Sequence, residues 1–234
     1  MTTAPPLASR IDHLVVAAAS LGEGVQWCEK TLGITPGPGG AHPLMGTHNR
    51  LLSITSPTFP LAYLEIIAIQ SGAPCARSTL ARRWFDLDDP ELQAHLTKSG
   101  PRLIHFVAST ARADAGVSAL ARLGLDRGEV LPASRPTTQG LLSWKITVRR
   151  DGQRLFYGAL PTLIEWGPVH PAQSMPASGV VLQALGACHP RAAALRAGLD
   201  AIGLTDVEVT SGSPNLTARL QTPFGLVTLE SGGI

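Results

Sequence analysis

The sequence predicts an α+β chain built from repeated βαβββ modules, and three observations carry that prediction. The stretch R-I-D-H-L-V-V at residues 10–16 returns at 102–107 as R-L-I-H-F-V, each a short apolar strand with one histidine, His13 or His105. Each copy is followed by a helix-like segment that a glycine closes, Gly33 and Gly124. Each then ends on a strand with a glutamate among apolar residues, L-A-Y-L-E-I-I at Glu65 and L-P-T-L-I-E-W at Glu165.

The elements follow in order. Residues 11–18 alternate as a strand, and Ser20 with Glu23 forms a capping box for a helix over 21–32, with Val25, Cys28 and Leu32 inward. A short strand is expected at about 34–38, a Gly/Pro-rich bend at 37–46, and strands at 49–54 and 61–69. The first module spans residues 10–69. Residues 70–101 form a connecting segment, a candidate lid, containing a short helix with Pro90 in its first turn. The second module, 102–168, has a strand at 103–108, a helix at 113–123 and strands near 128–131, 141–149 and 155–166, with a turn at Asp151-Gly152. A Pro/Ala/Ser linker, 168–178, leads to a third module, 178–231: a strand at 180–185, an Ala-rich helix at 191–202 closed by Gly203, and strands at 207–210, 216–221 and 226–230. Its last strand places Glu230 where Glu65 sits, but its first has no histidine, so this copy is poor in metal ligands.

Composition narrows the function. The 234 residues are 44% hydrophobic and 15% charged with a net charge of +2, which fits a folded globular chain and argues against nucleic acid. No apolar run approaches the roughly 18 residues of a membrane span. The N-terminus has neither the basic start nor the apolar core of a signal peptide, so a cytoplasmic location is expected. Three widely spaced cysteines, Cys28, Cys75 and Cys188, read as free thiols.

A glutamate inside an apolar strand is costly to bury unless it is paired or ligates a metal. The His-to-Glu separation is 52 residues in the first module and 60 in the second, similar enough for equivalent places. Two such modules facing each other would gather His13, Glu65, His105 and Glu165 around one divalent ion. Mixed nitrogen and oxygen ligation suits Zn, Ni, Mn or Fe, with open positions for substrate. The bland reading is a satisfied core histidine and a solvent-facing glutamate in each module; their joint occurrence in two copies favours the site.

The runs I-D-H-L-V-V, H-P-L-M-G-T-H-N-R-L-L and Y-L-E-I-I-A resemble the glyoxalase-like domain proteins of the vicinal oxygen chelate superfamily, the glyoxalase, bleomycin-resistance and dioxygenase group. The resemblance covers nearly the whole chain. It implies paired βαβββ modules whose curved mixed sheet forms a cup, with metal ligands on the first and last strands of each module, as in the H-E-H-E set of bacterial glyoxalase I. It also implies a metal-dependent lyase, isomerase or dioxygenase that chelates a small oxygenated molecule through two oxygens, with Glu165 or Glu65 shuttling a proton. Two alternatives stand beside it: a metal-free small-molecule binding or sequestering protein of the bleomycin-resistance type, and a degenerate structural relative whose glutamates are held by arginines. Relatives use an even number of modules, so a second copy of the chain, as a homodimer, is expected to partner the third.

His48 and Asn49, between strands, are candidates for binding a carbonyl or hydroxyl, against a turn-stabilising role. Arg83 and Trp84, with Arg82 and Phe85, are candidates to clamp an anionic or aromatic substrate, against a solvated helix start with the tryptophan tucked in. Trp144 and Trp166 read as core or cup lining. His95, His170 and His189 have no partner at useful spacing. Neither a dinucleotide fingerprint, a P-loop nor a nucleophile elbow is present.

Overall fold

The structure, a computed structural model, describes residues 5–76, 82–137 and 140–234. The first module forms β1 (Ser9–Ala17), α1 (Leu21–Leu32), β2 (Ala41–His42), β3 (Thr47–Ser53) and β4 (Tyr63–Ile69). Helix α1 starts where the sequence indicates: the Ser20 hydroxyl accepts from the Glu23 N–H, and Gly33 ends the helix at a φ of 75°. The expected strand at 34–38 is reduced to a single bridge between Gly37 and Leu51, and the paired strand is β2, inside the predicted bend. Prolines at 36 and 38 remove the backbone donors a ladder at 34–38 would need.

The connection contains α2 (Pro90–Ser99), capped by Asp89. The second module has β5 (Arg102–Thr110), α3 (Ala113–Ala121), β6 (Glu129–Thr137), β7 (Gly140–Val148) and β8 (Thr162–Trp166). Strand β8 is shorter than the sequence predicts, because Phe156–Gly158 forms a single 3-10 turn with Phe156 and Tyr157 at positive φ.

These eight strands form one sheet in the order β2-β3-β4-β1-β5-β8-β7-β6. Strand β1 runs parallel to β4 and antiparallel to β5, and β5 runs parallel to β8, so the two modules meet back to back at their first strands. One face of this curved sheet buries Leu14, Val16, Leu64, Ile66, Phe106 and Leu163 beneath the helices. The other forms the cup, lined by Val15, Ile67, Val107, Ile146 and Ile164. Helices α1 and α3 lie so close to the sheet that a Cβ on Gly24 would come 2.4 Å from Ile66, and one on Gly116 would come 2.5 Å from Leu163.

The third unit, β9 (Val181–Cys188), α4 (Ala192–Ala201), β10 (Val207–Thr210), β11 (Asn215–Thr222) and β12 (Gly225–Glu230), repeats the element order but not the arrangement. Its sheet runs β10-β9-β11-β12, so its last strand lies at the edge, not beside its first. Glu230 is therefore exposed on an edge strand and is not the counterpart of Glu65. The unit packs its apolar face, including Leu182, Leu185, Leu216 and Leu220, into the same core as Leu14 and Phe106. The third unit thus packs against this chain's own eight-stranded sheet.

Residues 82–88 of the connection enter the cup instead of covering it: Trp84, Phe85 and Leu87 are buried within its apolar lining. The lid reading also takes in residues 77–81, which lie outside the described residues. Among the described residues no helix is long and apolar enough to cross a membrane.

Candidate functional site

The site begins with an irregularity in β1. Ile11 pairs with Ala108 and His13 with Val107, so Asp12 is an extra residue in a β-bulge. Strict alternation would send Asp12 and His13 to opposite faces. The bulge instead brings them together, with His13 Nδ1 2.6 Å from Asp12 Oδ1. Asp12 is fully buried and also receives hydrogen bonds from Trp166 Nε1 at 2.8 Å and from His170 Nε2 at 3.0 Å. Burial alone would raise its pKa, but the hydrogen bonds from His13 and His170 outweigh that and hold it at about 2. Asp12 therefore stays ionised and fixes the His13 ring, which stacks on Tyr63 with 4.5 Å between centroids. Burial pushes the Tyr63 hydroxyl well above its ordinary range, so it stays a neutral phenol.

With Nδ1 held by Asp12, His13 directs Nε2 toward Glu65, 3.7 Å from Oε2. Glu65, only 4% exposed, accepts a hydrogen bond from Asn49 Nδ2 at 2.6 Å. Asn49 is oriented in turn, since its Oδ1 accepts from the Gly40 N–H at 2.8 Å. His42 completes the cluster, with Nδ1 3.1 Å from the Thr47 hydroxyl and Nε2 3.3 Å from Asn49 Nδ2 and 3.9 Å from Glu65. Burial lowers the His42 pKa to about 4, with Glu65 opposing and Arg135 reinforcing the shift, so at neutral pH it is an uncharged acceptor.

The second module does not complete this cluster. His105 has no exposed surface, and both of its ring nitrogens are engaged: Nδ1 donates to the Gly158 carbonyl at 2.8 Å, and Nε2 accepts from the Thr162 N–H at 3.1 Å. Burial and the Arg127 charge drive its pKa well below the usual range, so it is a neutral structural imidazole. Phe85 lies tilted beside it, with ring centroids 5.1 Å apart, and lines the cavity from which His105 is absent. Glu165 lies on the other face of β8, where it caps the Ala113 N–H at 2.9 Å and pairs with Lys145 at 2.8 Å. The inward residues of β8 are Ile164 and Trp166. The predicted set of His13, Glu65, His105 and Glu165 is thus not brought together, because His105 has no lone pair to offer and Glu165 is out of phase with the cup. Among the described residues no group of three His, Cys, Asp or Glu side chains is arranged to hold a metal ion. The donors do not fit the four-ligand divalent ion.

The other predicted residues divide. Asn49 and Trp84 line the cavity, Trp84 edge-on to His42 with ring centroids 5.0 Å apart. His48 alternates to the opposite face of β3 beside Arg50, where burial and that arginine lower its pKa. Arg83 faces a separate recess, tied to Asp88 at 2.6 Å and to the Ala73 carbonyl at 2.8 Å. The sequence reading missed Asp12, His42, His170 and Arg135. Asp12 had a visible signal, an acid directly before the strand histidine, which only a bulge makes meaningful. His170 had none, because its partner lies 158 residues away.

The polar cluster lines an inner cavity of about 30 Å³, walled by Leu51, Tyr63, Trp84, Phe85, Trp144 and Trp166. Leu51, Arg135, Leu142 and Pro171 also border a larger, mostly apolar groove of about 1110 Å³ that runs along residues 34–43 and 174–178. The site is therefore a small polar end joined to an apolar trough.

Comparison with known proteins agrees with this architecture. The glyoxalase-like domain family matches residues 11–203, and the chain belongs to that family, within the vicinal oxygen chelate superfamily. Among curated proteins nothing matches. A hypothetical protein from Staphylococcus aureus superposes with a TM-score of 0.56 at 13% identity, over 95% of this chain and 85% of that one. A variant methylmalonyl-CoA epimerase of Streptomyces coelicolor, in complex with 2-nitronate-propionyl-CoA, gives 0.42 at 20% identity, over 70% of this chain and 98% of that one. The Mycobacterium tuberculosis methylmalonyl-CoA epimerase gives 0.40 at 17%, over 74% and 97%. The first likeness is one of fold.

Proposed function

We propose that this glyoxalase-like chain is an isomerase or lyase that moves a proton on a small oxygenated molecule, with His13 and Glu65 as its acid–base pair. One observation carries the reading: Asp12 holds His13 Nδ1 at 2.6 Å while Nε2 faces the buried Glu65 carboxylate at 3.7 Å, on the wall of the inner cavity. A carboxylate on Nδ1 fixes the tautomer that leaves Nε2 free to accept a proton, and it stabilises the imidazolium that results. Glu65, held by Asn49, is the second proton acceptor within reach of the same small volume. The group that takes a proton from a carbon beside a carbonyl becomes its conjugate acid and returns the proton to the neighbouring atom, while the second group stays ionised or neutral beside it. No step runs through a metal, since the four-ligand set on which bidentate chelation and dioxygenase chemistry were expected is not assembled.

The test is solvent-deuterium exchange into a panel of 2-oxo acids, 2-hydroxy acids and aldehydes, followed by mass spectrometry. Exchange by the native protein that is lost in His13→Ala and Glu65→Gln supports the reading. Binding without exchange across the panel overturns it and leaves the sequestering protein, which the apolar groove also favours.

A further inference from the structure

Two hydrogen-bond donors on the cavity wall have no partner. Arg135 Nη1, on β6, and Trp84 Nε1 are both buried and unpaired. Buried donors in folded proteins are almost always satisfied, and a guanidinium nitrogen is among the costliest to leave bare. Arg135 forms no ion pair among the described residues, although Glu65 and Asp12 lie in the same cup, where both are already committed to histidines and Asn49. Its place is built: Gly40 faces the guanidinium, and a Cβ there would come 2.2 Å from Nη1. That contact is made between the loop before β2 and the edge strand β6, the two ends of the eight-stranded sheet. Arg135 also borders both spaces, the polar cavity with His13 and Glu65 and the apolar groove.

We propose that Arg135, helped by Trp84 Nε1, anchors the carboxylate of an oxygenated organic acid whose apolar body lies in the groove and whose oxygenated carbon reaches His13 and Glu65. The inference rests on the acid–base reading of the site and gives it a substrate class. Two unpaired donors call for a ligand rich in acceptors, and a planar guanidinium matches a carboxylate in a way a neutral carbonyl cannot. The inner cavity, at about 30 Å³, takes only the small oxygenated end of such a molecule. The groove, at about 1110 Å³, takes an aliphatic or aromatic tail.

The experiment measures binding by calorimetry with 2-oxooctanoate and with its neutral counterpart 2-octanone. The native protein is expected to bind the acid about tenfold or more tightly than the ketone, and Arg135→Gln to remove that preference while leaving the ketone unchanged. Gly40→Ala, which displaces the guanidinium without removing its charge, is expected to weaken the acid in the same direction, and Trp84→Phe to weaken it less. Equal binding of acid and ketone by the native protein, no binding of the acid, or acid binding indifferent to Arg135→Gln overturns the proposal. The two readings fail separately. His13→Ala is expected to abolish exchange while keeping the Arg135-dependent preference. Preference without any exchange in the native protein would sink the catalytic reading and leave the anchor standing.

Discussion

The two halves of the cup share a backbone and differ in what they do with it. Each first strand carries a β-bulge directly before its histidine, at Asp12 in β1 and at Ile104 in β5. In the first half the bulge residue is an acid that grips Nδ1 and leaves Nε2 facing the cavity. In the second it is apolar, so His105 turns Nδ1 to the Gly158 carbonyl and gives Nε2 to a backbone N–H. The last strands follow suit. Val15 pairs with Glu65 two residues after His13, and Val107 pairs with Thr162 two residues after His105, so Thr162 stands where Glu65 does. Thr162 binds His105 at 3.0 Å and receives Arg127, a buried cation, at 2.8 Å. The two halves share the scaffold; one carries an open polar pair and the other builds the same positions into core.

The largest contrast follows from that difference. His13→Ala is expected to cut proton exchange by about 10²- to 10⁴-fold, the scale of a lost general acid or base, in a protein that stays folded because Asp12 keeps its hydrogen bonds from Trp166 and His170. His105→Ala is expected to do the reverse. It leaves the Thr162 N–H and the Gly158 carbonyl unpaired beside a void, and chemical denaturation should show a loss of about 2–4 kcal/mol. Similar activity losses in the two folded variants would break the comparison.

That contrast also shows what the sequence makes legible. The element order, the end of α1 at Gly33 and the inward set of His13 and Glu65 follow from periodicity and capping signals, which are local, whereas α3 and α4 end at Ala121 and Ala201, short of the glycines at 124 and 203. The metal set did not follow, because the second glutamate was matched by its apolar surroundings and not by strand phase. Glu65 comes two residues after Tyr63, but Glu165 comes three after Thr162, and one residue of difference reverses the face. Neither the bulge that makes Asp12 a partner of His13 nor the descent of Trp84 and Phe85 into the cup has a local signature. Both depend on strands and loops meeting far apart in the chain.

Acid titration separates the halves next. His105 is held neutral far below the ordinary value of 6.5, so below pH about 6.5 the unfolded chain binds a proton that the folded chain refuses, and stability falls. His42, at about 4, adds to the same loss between roughly pH 6.5 and 4. Asp12 acts later: its depressed pKa contributes stability that is complete above its ordinary value of 3.8 and is lost as pH falls toward about 2. Denaturant titrations of His105→Gln should therefore show a flatter dependence between pH 6.5 and 4. Asp12→Asn should flatten it only below pH about 4. An unchanged slope in His105→Gln would mean that this imidazole is not kept neutral.

What the halves share should respond alike. Gly24→Ala and Gly116→Ala each force a methyl into the helix–sheet contact, against Ile66 and Leu163, and each should cost about 1–3 kcal/mol in denaturant unfolding. A cost in one helix only would show that the two modules do not dock their helices equivalently.

The smallest effect tests what Glu165 does in place of metal binding. Helix α1 has its own N-cap in Ser20, which leaves Glu65 free for the cup. Helix α3 begins at Arg112, which makes no side-chain cap, and Glu165 reaches across from β8 to accept the Ala113 N–H. Burial opposes the charge of Glu165, but the hydrogen bonds from Lys145 and Ala113 outweigh it and lower its pKa, as a carboxylate at a helix N-terminus should show. Glu165→Ala is therefore expected to lower stability by about 0.5–1 kcal/mol and to leave proton exchange within about twofold of native. Adding Arg112→Ser, which supplies the local cap that α1 already has, should recover most of that stability. Loss of exchange in Glu165→Ala, at unchanged melting temperature, would return Glu165 to the cup.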